Sequence, residues 1–333
     1  MPLADRLDSI FVHIGFHKCG STAIQLGLSS LRDDLVAQGI CYPAGDQALL
    51  ASYYADSRPD FFHNIAFGRA DQDAARREDE AFAEGIWDEI ARAPARTLVL
   101  SYEGFPNLSE PEVGRMFDDF SRRASKVVGV AYCRHPLSFA PSEISQRARS
   151  GFETAVTMEP PPLLAFKNTL PKFLSSFGTD NFIVRDVERR ALRDGNVVAD
   201  FLALLPVDAT LIENAPQTEP EVTKALSQEA VSIAKALTAL RDENRPMSQF
   251  FGGELQHFLS AIRGVPIALT PEEQRYLMEK SQVHLDYLKE VFGLQLMAPD
   301  ETGAAQQDVP FGPDFIESLA KAVKRLIDAA DRK

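Results

Sequence analysis

The chain has 333 residues, 45% hydrophobic and 25% charged, with a formal net charge of −13. Such a composition belongs to an ordinary globular protein of one large or two small domains. The acidic excess argues against a nucleic-acid partner or an acidic-membrane binder, both of which need basic faces, but leaves room for one local basic pocket. No stretch approaches the roughly 20 apolar residues of a membrane-spanning helix, and the start MPLADRLDS lacks the apolar core of a secretory signal. Three cysteines, Cys19, Cys41 and Cys133, are too few and too irregular for a disulfide framework. They read as reduced thiols of a cytoplasmic protein. No Cys/His cluster has zinc-ligand spacing, and no metal is expected.

In chain order, Ile10–Gly15 reads as a buried strand, followed by a glycine-bounded loop and a helix over Ser21–Ala37. Gly39–Pro43 is a short extended piece. Gln47–Asn64 is aromatic-rich, a helix plus a loop. Ala70–Arg92 is a polar helix with Phe82, Ile86 and Ile90 at helical spacing, and its Trp87 is expected in the core. Thr97–Ser101 and Lys126–Tyr132 are valine- and leucine-rich runs of the kind found in strands buried on both faces, with a helix over Glu110–Arg123 between them. Helices follow at Ser138–Ser150 and Leu163–Phe177, separated by the proline-rich Gly151–Pro162, read as an ordered loop or lid. Asn181–Arg185 is a fourth strand and Asn196–Leu205 a helix.

Strands alternating with helices imply βαβ units and a parallel sheet. Beyond about residue 218 only helices are expected: Glu219–Arg241, Gln249–Ile262, Pro271–Phe292 and Gly312–Ala330. The last carries Phe315, Leu319, Val323 and Leu326 on one stripe, suited to docking on its own domain or to a homodimer contact. The polar stretch Ala298–Pro310 reads as a linker. The expected organisation is one α/β unit over residues 1–297, helical from about 218, then linker and terminal helix over 298–333.

Strand, glycine-bounded loop and helix start, in that order, build an anion site from backbone N–H groups and the helix dipole. The run Gly15-Phe16-His17-Lys18-Cys19-Gly20-Ser21-Thr22 departs from a nucleotide-triphosphate loop. There lysine directly follows the second glycine; here Lys18 precedes it. No acidic metal ligand directly ends a later strand. Glu103 follows the second strand, and Arg134 follows the third. Arginine at a strand tip suits an anion, because its planar fork matches phosphate oxygens. Ser142, about two helical turns further on, is placed to join it. Two separated anion sites therefore imply a ligand with two phosphate-type groups.

With these residues in place, the chain resembles the PAPS-dependent sulfotransferases, bacterial type, whose donor is 3′-phosphoadenosine 5′-phosphosulfate (product PAP). Gly15–Thr22 resembles that family's 5′-phosphosulfate loop, and Arg134 with Ser142 inside YCRHPLSFAPSEISQ resembles its 3′-phosphate motif. Weaker echoes, among them GICYP, His63-Asn64 and SYEGF, extend the likeness over roughly Ile10–Leu296. Cys19 departs from the usual Thr or Ser.

The resemblance implies a P-loop NTPase-like α/β fold, no metal, and transfer of a sulfuryl group to a hydroxyl or amine of a carbohydrate, glycolipid or small-molecule acceptor. It implies donor contacts from His17, Lys18, Cys19, Gly20, Ser21, Thr22, Arg134 and Ser142. Lys18 would offset charge on the leaving group. Glu103 is the first candidate for general base and His63 the second. The plainer readings are a structural ion pair for Arg134, a surface serine for Ser142, a solvated carboxylate for Glu103 and a satisfied loop histidine for His63. The competing functions are an ATP- and Mg²⁺-dependent small-molecule kinase on the same loop, and a non-catalytic binding or scaffold protein.

Overall fold

The structure, a computed structural model, describes residues 6–92, 95–152, 154–157, 161–217, 225–240, 253–299, 312, 315–317, 319–321 and 323–324. Five strands, β1 (Leu7–Ile14), β2 (Ile40–Cys41), β3 (Thr97–Tyr102), β4 (Ala124–Cys133) and β5 (Phe182–Asp186), form one sheet in the order β2-β3-β1-β4-β5. Every pairing is parallel. The expected α/β class is therefore what the chain adopts. Parallel strands joined by helical crossovers are covered on both faces, which is why β1, β3 and β4 read as near-continuous apolar runs. Ile10, Val12, Ile14, Leu98, Leu100, Val130 and Tyr132 are all fully buried.

Helices α1 (Ser21–Ser30) and α2 (Arg32–Ala37) follow β1, so the single helix expected over Ser21–Ala37 breaks at Leu31. No proline or glycine marks that break. The aromatic-rich stretch holds two short helices, α3 (Ala48–Tyr54) and α4 (Phe62–Ala66), followed by α5 (Gln72–Arg92). α6 (Glu110–Arg123) opens on a capping box between Ser109 and Glu112, which satisfies two orphan N–H groups of its first turn. Trp87 is half-buried at the edge of the core. The Arg123 guanidinium lies 4.1 Å over its ring, and Phe120 meets it edge-on. α8 (Phe166–Phe177) starts three residues later than expected, and the helix expected over Asn196–Leu205 is α9 (Val197–Leu202), capped by the Asn196 side chain. A further short helix, α10 (Ala209–Glu213), has no sequence period long enough to announce it.

Two compact units emerge. The first comprises residues 1–134, 165–220 and 284–297, and holds the whole sheet. The second comprises residues 135–164, 221–283 and 298–333. Its helices include α7 (Pro136–Arg149), α11 (Gln228–Ala239), Gly253–Ala261 and the part of Pro271–Phe292 up to Val283. α7 begins two residues before the expected start because His135, as N-cap, accepts from Leu137 N–H and Pro136 suits the first turn. The helix expected from Glu219 starts only at Gln228, capped by Ser227; residues 218–224 and 241–252 lie outside the described residues.

The core of the second unit gathers Ile144, Leu226, Val231, Leu237, Leu259 and Leu277 around α11. Ile316 and Ala320 of the terminal segment are buried in that same core, with Leu319 and Val323 packed against it, while Phe315 is 49% exposed. The docked stripe is thus rotated by one residue from the expected one at its start, since Ile316, Leu319, Ala320 and Val323 share a face at i, i+3, i+4, i+7. Leu326 and most of the expected linker lie outside the described residues. Within Gly151–Pro162, Thr154 and Val156 are buried, so that part of the loop is core rather than lid. Among the described residues no helix is long and apolar enough to cross a membrane.

Candidate active site

The Gly15–Thr22 loop leaves the C-terminal end of β1 in the middle of the sheet, where open α/β sheets place their ligands. Gly15 N–H donates to Tyr102 O at 3.2 Å, which ties the loop's first residue to the end of β3. A Cβ on Gly15 would stand 2.8 Å from Ser21 Oγ and 3.0 Å from the Glu103 Cα. The glycine is therefore required by close approach, and its backbone lies directly against that of Glu103. Lys18 and Gly20 both have left-handed backbone, φ 57° and 85°, while Cys19 between them does not. Alternation of this kind turns successive N–H groups toward one concavity, the nest arrangement that holds anions. Gly20 is also the N-cap of the ten-residue α1, whose dipole adds to the field there.

A left-handed lysine costs about 1–2 kcal/mol relative to ordinary backbone, so something must hold it. Arg134, at the tip of β4, donates from Nη1 to the Lys18 carbonyl at 3.0 Å. That bond joins the two stretches that the sequence put 116 positions apart. Ser21 Oγ donates to Phe16 O at 3.2 Å, and Cys19 N–H donates to the same carbonyl. The Ser21 hydroxyl thus closes the loop from inside, whereas Thr22 is exposed. His17 and Lys18 are half-buried on the rim. Cys19 is buried, and burial pushes its thiol up to about 12. A thiol held that far from ionising is not a nucleophile.

Burial pulls Arg134 below its ordinary value, with Cys19 and Glu188 acting in the opposite direction. Next to it, buried Asp186 ends β5 and accepts from the N–H groups of Glu188 and Met297. A Cβ on Gly20 would meet Val187 and Val197, each at 3.3 Å. The same two valines, with Arg189 and Asn196, line a cavity of about 180 Å³ behind the loop.

A polar clamp that no sequence pattern announces fixes the end of β3. Strand β2 pairs with Thr97 and Leu98, and among the described residues the edge of β3 beyond them has no partner strand. Gln47 Oε1 accepts from Ser101 N–H at 2.7 Å, and Gln25 Nε2 donates to Ser101 O at 3.1 Å. His13, fully buried, shares a 2.7 Å hydrogen bond between Nδ1 and Ser101 Oγ. Burial pushes the His13 ring down to about 3, which keeps it neutral. These contacts hold the residue two positions before Glu103. They were invisible in the sequence because they join residues 54 to 88 positions apart.

The structure therefore brings together Lys18, Gly20, Arg134 and, through its backbone, the exposed Glu103. His63 lies on α4, buried, with its ring 4.7 Å from that of Phe67. Burial lowers its pKa, Asp46 opposes that, and Arg69 adds to it. Asp46 also raises Tyr102, after burial, so it links the surroundings of His63 to the end of β3. Ser142 is half-buried in α7 and belongs to the second unit. Among the described residues no group of three His, Cys, Asp or Glu side chains gathers to hold a metal ion.

No protein-family model matches the chain, and no curated protein matches it. Among solved structures, the chain is similar to a sulfotransferase from Alicyclobacillus acidocaldarius at 15% identity and a TM-score of 0.41, covering 86% of this chain and 96% of that one. It is also similar to the sulfotransferase domain from the curacin biosynthetic pathway at 13% identity and a TM-score of 0.32, covering 83% and 98%.

Proposed function

We propose that the chain is a sulfotransferase that moves a sulfuryl group from PAPS to a hydroxyl or amine. The observation that carries this reading is the Arg134–Lys18 hydrogen bond. It couples a lysine placed before the second glycine to an arginine at the next strand tip, the pairing of two anion-binding groups that a bisphosphorylated donor needs. The residues fit that donor. The left-handed turns at Lys18 and Gly20 and the start of α1 offer N–H groups to a 5′-phosphate, with Thr22 adding a hydroxyl. Arg134 keeps further donors beyond the one on Lys18 O, since a guanidinium has five. It takes the 3′-phosphate and selects this donor over ATP. The cavity behind Gly20, walled by Val187 and Val197, suits the nucleoside part.

Sulfuryl transfer, like phosphoryl transfer, is an in-line displacement in which positioning and electrostatics carry most of the catalysis. Lys18 offsets charge on the oxygen that leaves sulfur. Glu103, held against the loop through Gly15, takes the proton of the acceptor hydroxyl or amine, with His63 as the second candidate. The acceptor class, carbohydrate, glycolipid or small molecule, follows from neither motif. Residues 1–297 carry this chemistry on this reading, and 298–333 a linker and terminal helix. The buried thiols suit a reducing, cytoplasmic setting.

Titration calorimetry of the pure protein with PAP, and separately with ATP and Mg²⁺, tests the reading. PAP binding with a Kd in the micromolar range and no ATP turnover is expected; absence of PAP binding refutes it. Lys18→Ala should leave PAP affinity within a few-fold and lower turnover about 10²-fold, the size seen when one preorganised charge-stabilising donor is removed.

A further inference from the structure

A second cavity lies in the first unit and shares no residue with the loop. It measures about 440 Å³ and is formed by the end of α3, the start of α5 and the face of α6. Its size is that of a small-ligand site, but its walls are unlike the apolar lining usual for one. Three guanidiniums, Arg76, Arg115 and Arg122, line it together with four carboxylates, Asp56, Glu80, Asp118 and Asp119. The charges nearly cancel, so a strongly charged ligand gains little net attraction there. What the cavity offers instead is a dense set of both donors and acceptors.

Several of those groups are fixed in place. Arg115 Nη2 donates to Tyr54 O at 2.8 Å and to Asp56 Oδ2 at 2.9 Å. Asp119 accepts from Tyr54 Oη, Arg122 and Arg123. Asp56 and Ser57 both have left-handed backbone, and Ser57 is tied by its hydroxyl to buried Asp79 at 2.7 Å. Arg76, Glu80 and Asp118 make no ion pair among the described residues and face the cavity unengaged. Two tyrosines complete the lining, Tyr54 buried and Tyr53 exposed. Tyr53 is 36% exposed and is set edge-on against Tyr54, with ring centroids 5.1 Å apart.

Hydroxyl groups both donate and accept, so a polyhydroxylated ligand satisfies interleaved guanidiniums and carboxylates without bringing a charge. A pyranose ring also presents a C–H face that packs on an aromatic ring, which a linear polyol does not. We infer that this cavity is a binding site for a neutral sugar of mono- to disaccharide size, stacked on Tyr53 and hydrogen-bonded by Arg76, Glu80 and Asp118. The site stands whether or not the loop transfers sulfuryl groups.

Saturation-transfer NMR on the full chain, with maltose, cellobiose and lactose as probes and sorbitol and L-lysine as controls, tests it. At least one disaccharide should bind with a Kd of about 1 mM, the affinity of a few exposed contacts. Tyr53→Ala should weaken it roughly tenfold, and Asp118→Ala by several-fold, with PAP affinity unchanged in both. Both substituted positions, Tyr53 and Asp118, are exposed, so the variants keep the fold. No transfer to any disaccharide, equal transfer to sorbitol, preferential binding of L-lysine, or indifference to Tyr53→Ala each overturns the inference. Loss of PAP binding in the parent protein bears on the loop alone.

Discussion

Arg134 is expected to do two things, and Arg134→Ala separates them. The first is to bind donor phosphate. The second is to hold Lys18 in the left-handed conformation through its 3.0 Å bond to the Lys18 carbonyl. A hydrogen bond from a charged donor contributes about 1.5–3 kcal/mol, and left-handed backbone at a non-glycine residue costs about 1–2 kcal/mol. Without the bond, that cost has no counterweight, and the lysine leaves its working position. A shift of about 2 kcal/mol corresponds to roughly a 30-fold fall in the fraction of loops ready to act. Arg134→Ala should therefore lower kcat at saturating donor by about that factor, on top of a rise in the donor KM. Hydrogen exchange gives a readout that needs no ligand: protection of the Cys19 amide, which bonds to Phe16 O, should fall in the variant. Unchanged kcat with unchanged exchange, and only a weaker donor affinity, would show that the loop holds itself and that Arg134 is a ligand contact alone.

Gly15→Ala introduces a methyl 2.8 Å from Ser21 Oγ and 3.0 Å from the Glu103 Cα. Overpacking against backbone costs about 1–3 kcal/mol, so the melting temperature should drop by several degrees and PAP binding with it. A variant with wild-type melting and affinity would contradict the close approach. His13 has its pKa pushed down to about 3 in the folded state, from 6.5. The unfolded chain therefore takes up this proton first as pH falls. Stability is whole above about pH 6.5 and is lost below it, at up to about 1.4 kcal/mol per pH unit. Urea unfolding at pH 7 and pH 5 should show that slope, and His13→Gln should flatten it; equal slopes would remove His13 as the cause. Cys19 should resist iodoacetamide at pH 8 in the native protein, because its thiol sits near 12 and is buried. Rapid native labelling at Cys19, located by mass spectrometry, would be incompatible with the loop described.

The strands were legible because burial on both faces writes itself as short apolar runs. Thr97–Ser101 and Lys126–Tyr132 match β3 and β4 to within a few residues. The loop was legible because glycine, lysine and hydroxyl residues follow one another locally. What escaped was tertiary. The break at Leu31 has no proline or glycine to mark it, and the Ser101 clamp joins side chains from β1, α1 and the segment before α3. The terminal stripe was placed one residue off at Phe315, since Ala320 is too small to register in a hydrophobic pattern yet packs into the core. Ser21 was read as a ligand group from its position beside Gly20. The structure adds that its hydroxyl donates to Phe16 O and so also closes the loop.

Because β2 stops at Cys41, the edge of the sheet beside the loop is finished by two glutamine side chains rather than by a neighbouring strand. A strand end left bare would be an invitation to pair with another chain; capped in this way, it is sealed with few residues committed. The 55 residues between Cys41 and Thr97 are thereby released from main-chain register with β3 past its first two residues. They can lengthen, shorten or exchange aromatic surface without shifting a strand, provided Gln47 still reaches Ser101. Diversification of whatever lies opposite Glu103 is thus uncoupled from the framework that holds Lys18 and Arg134.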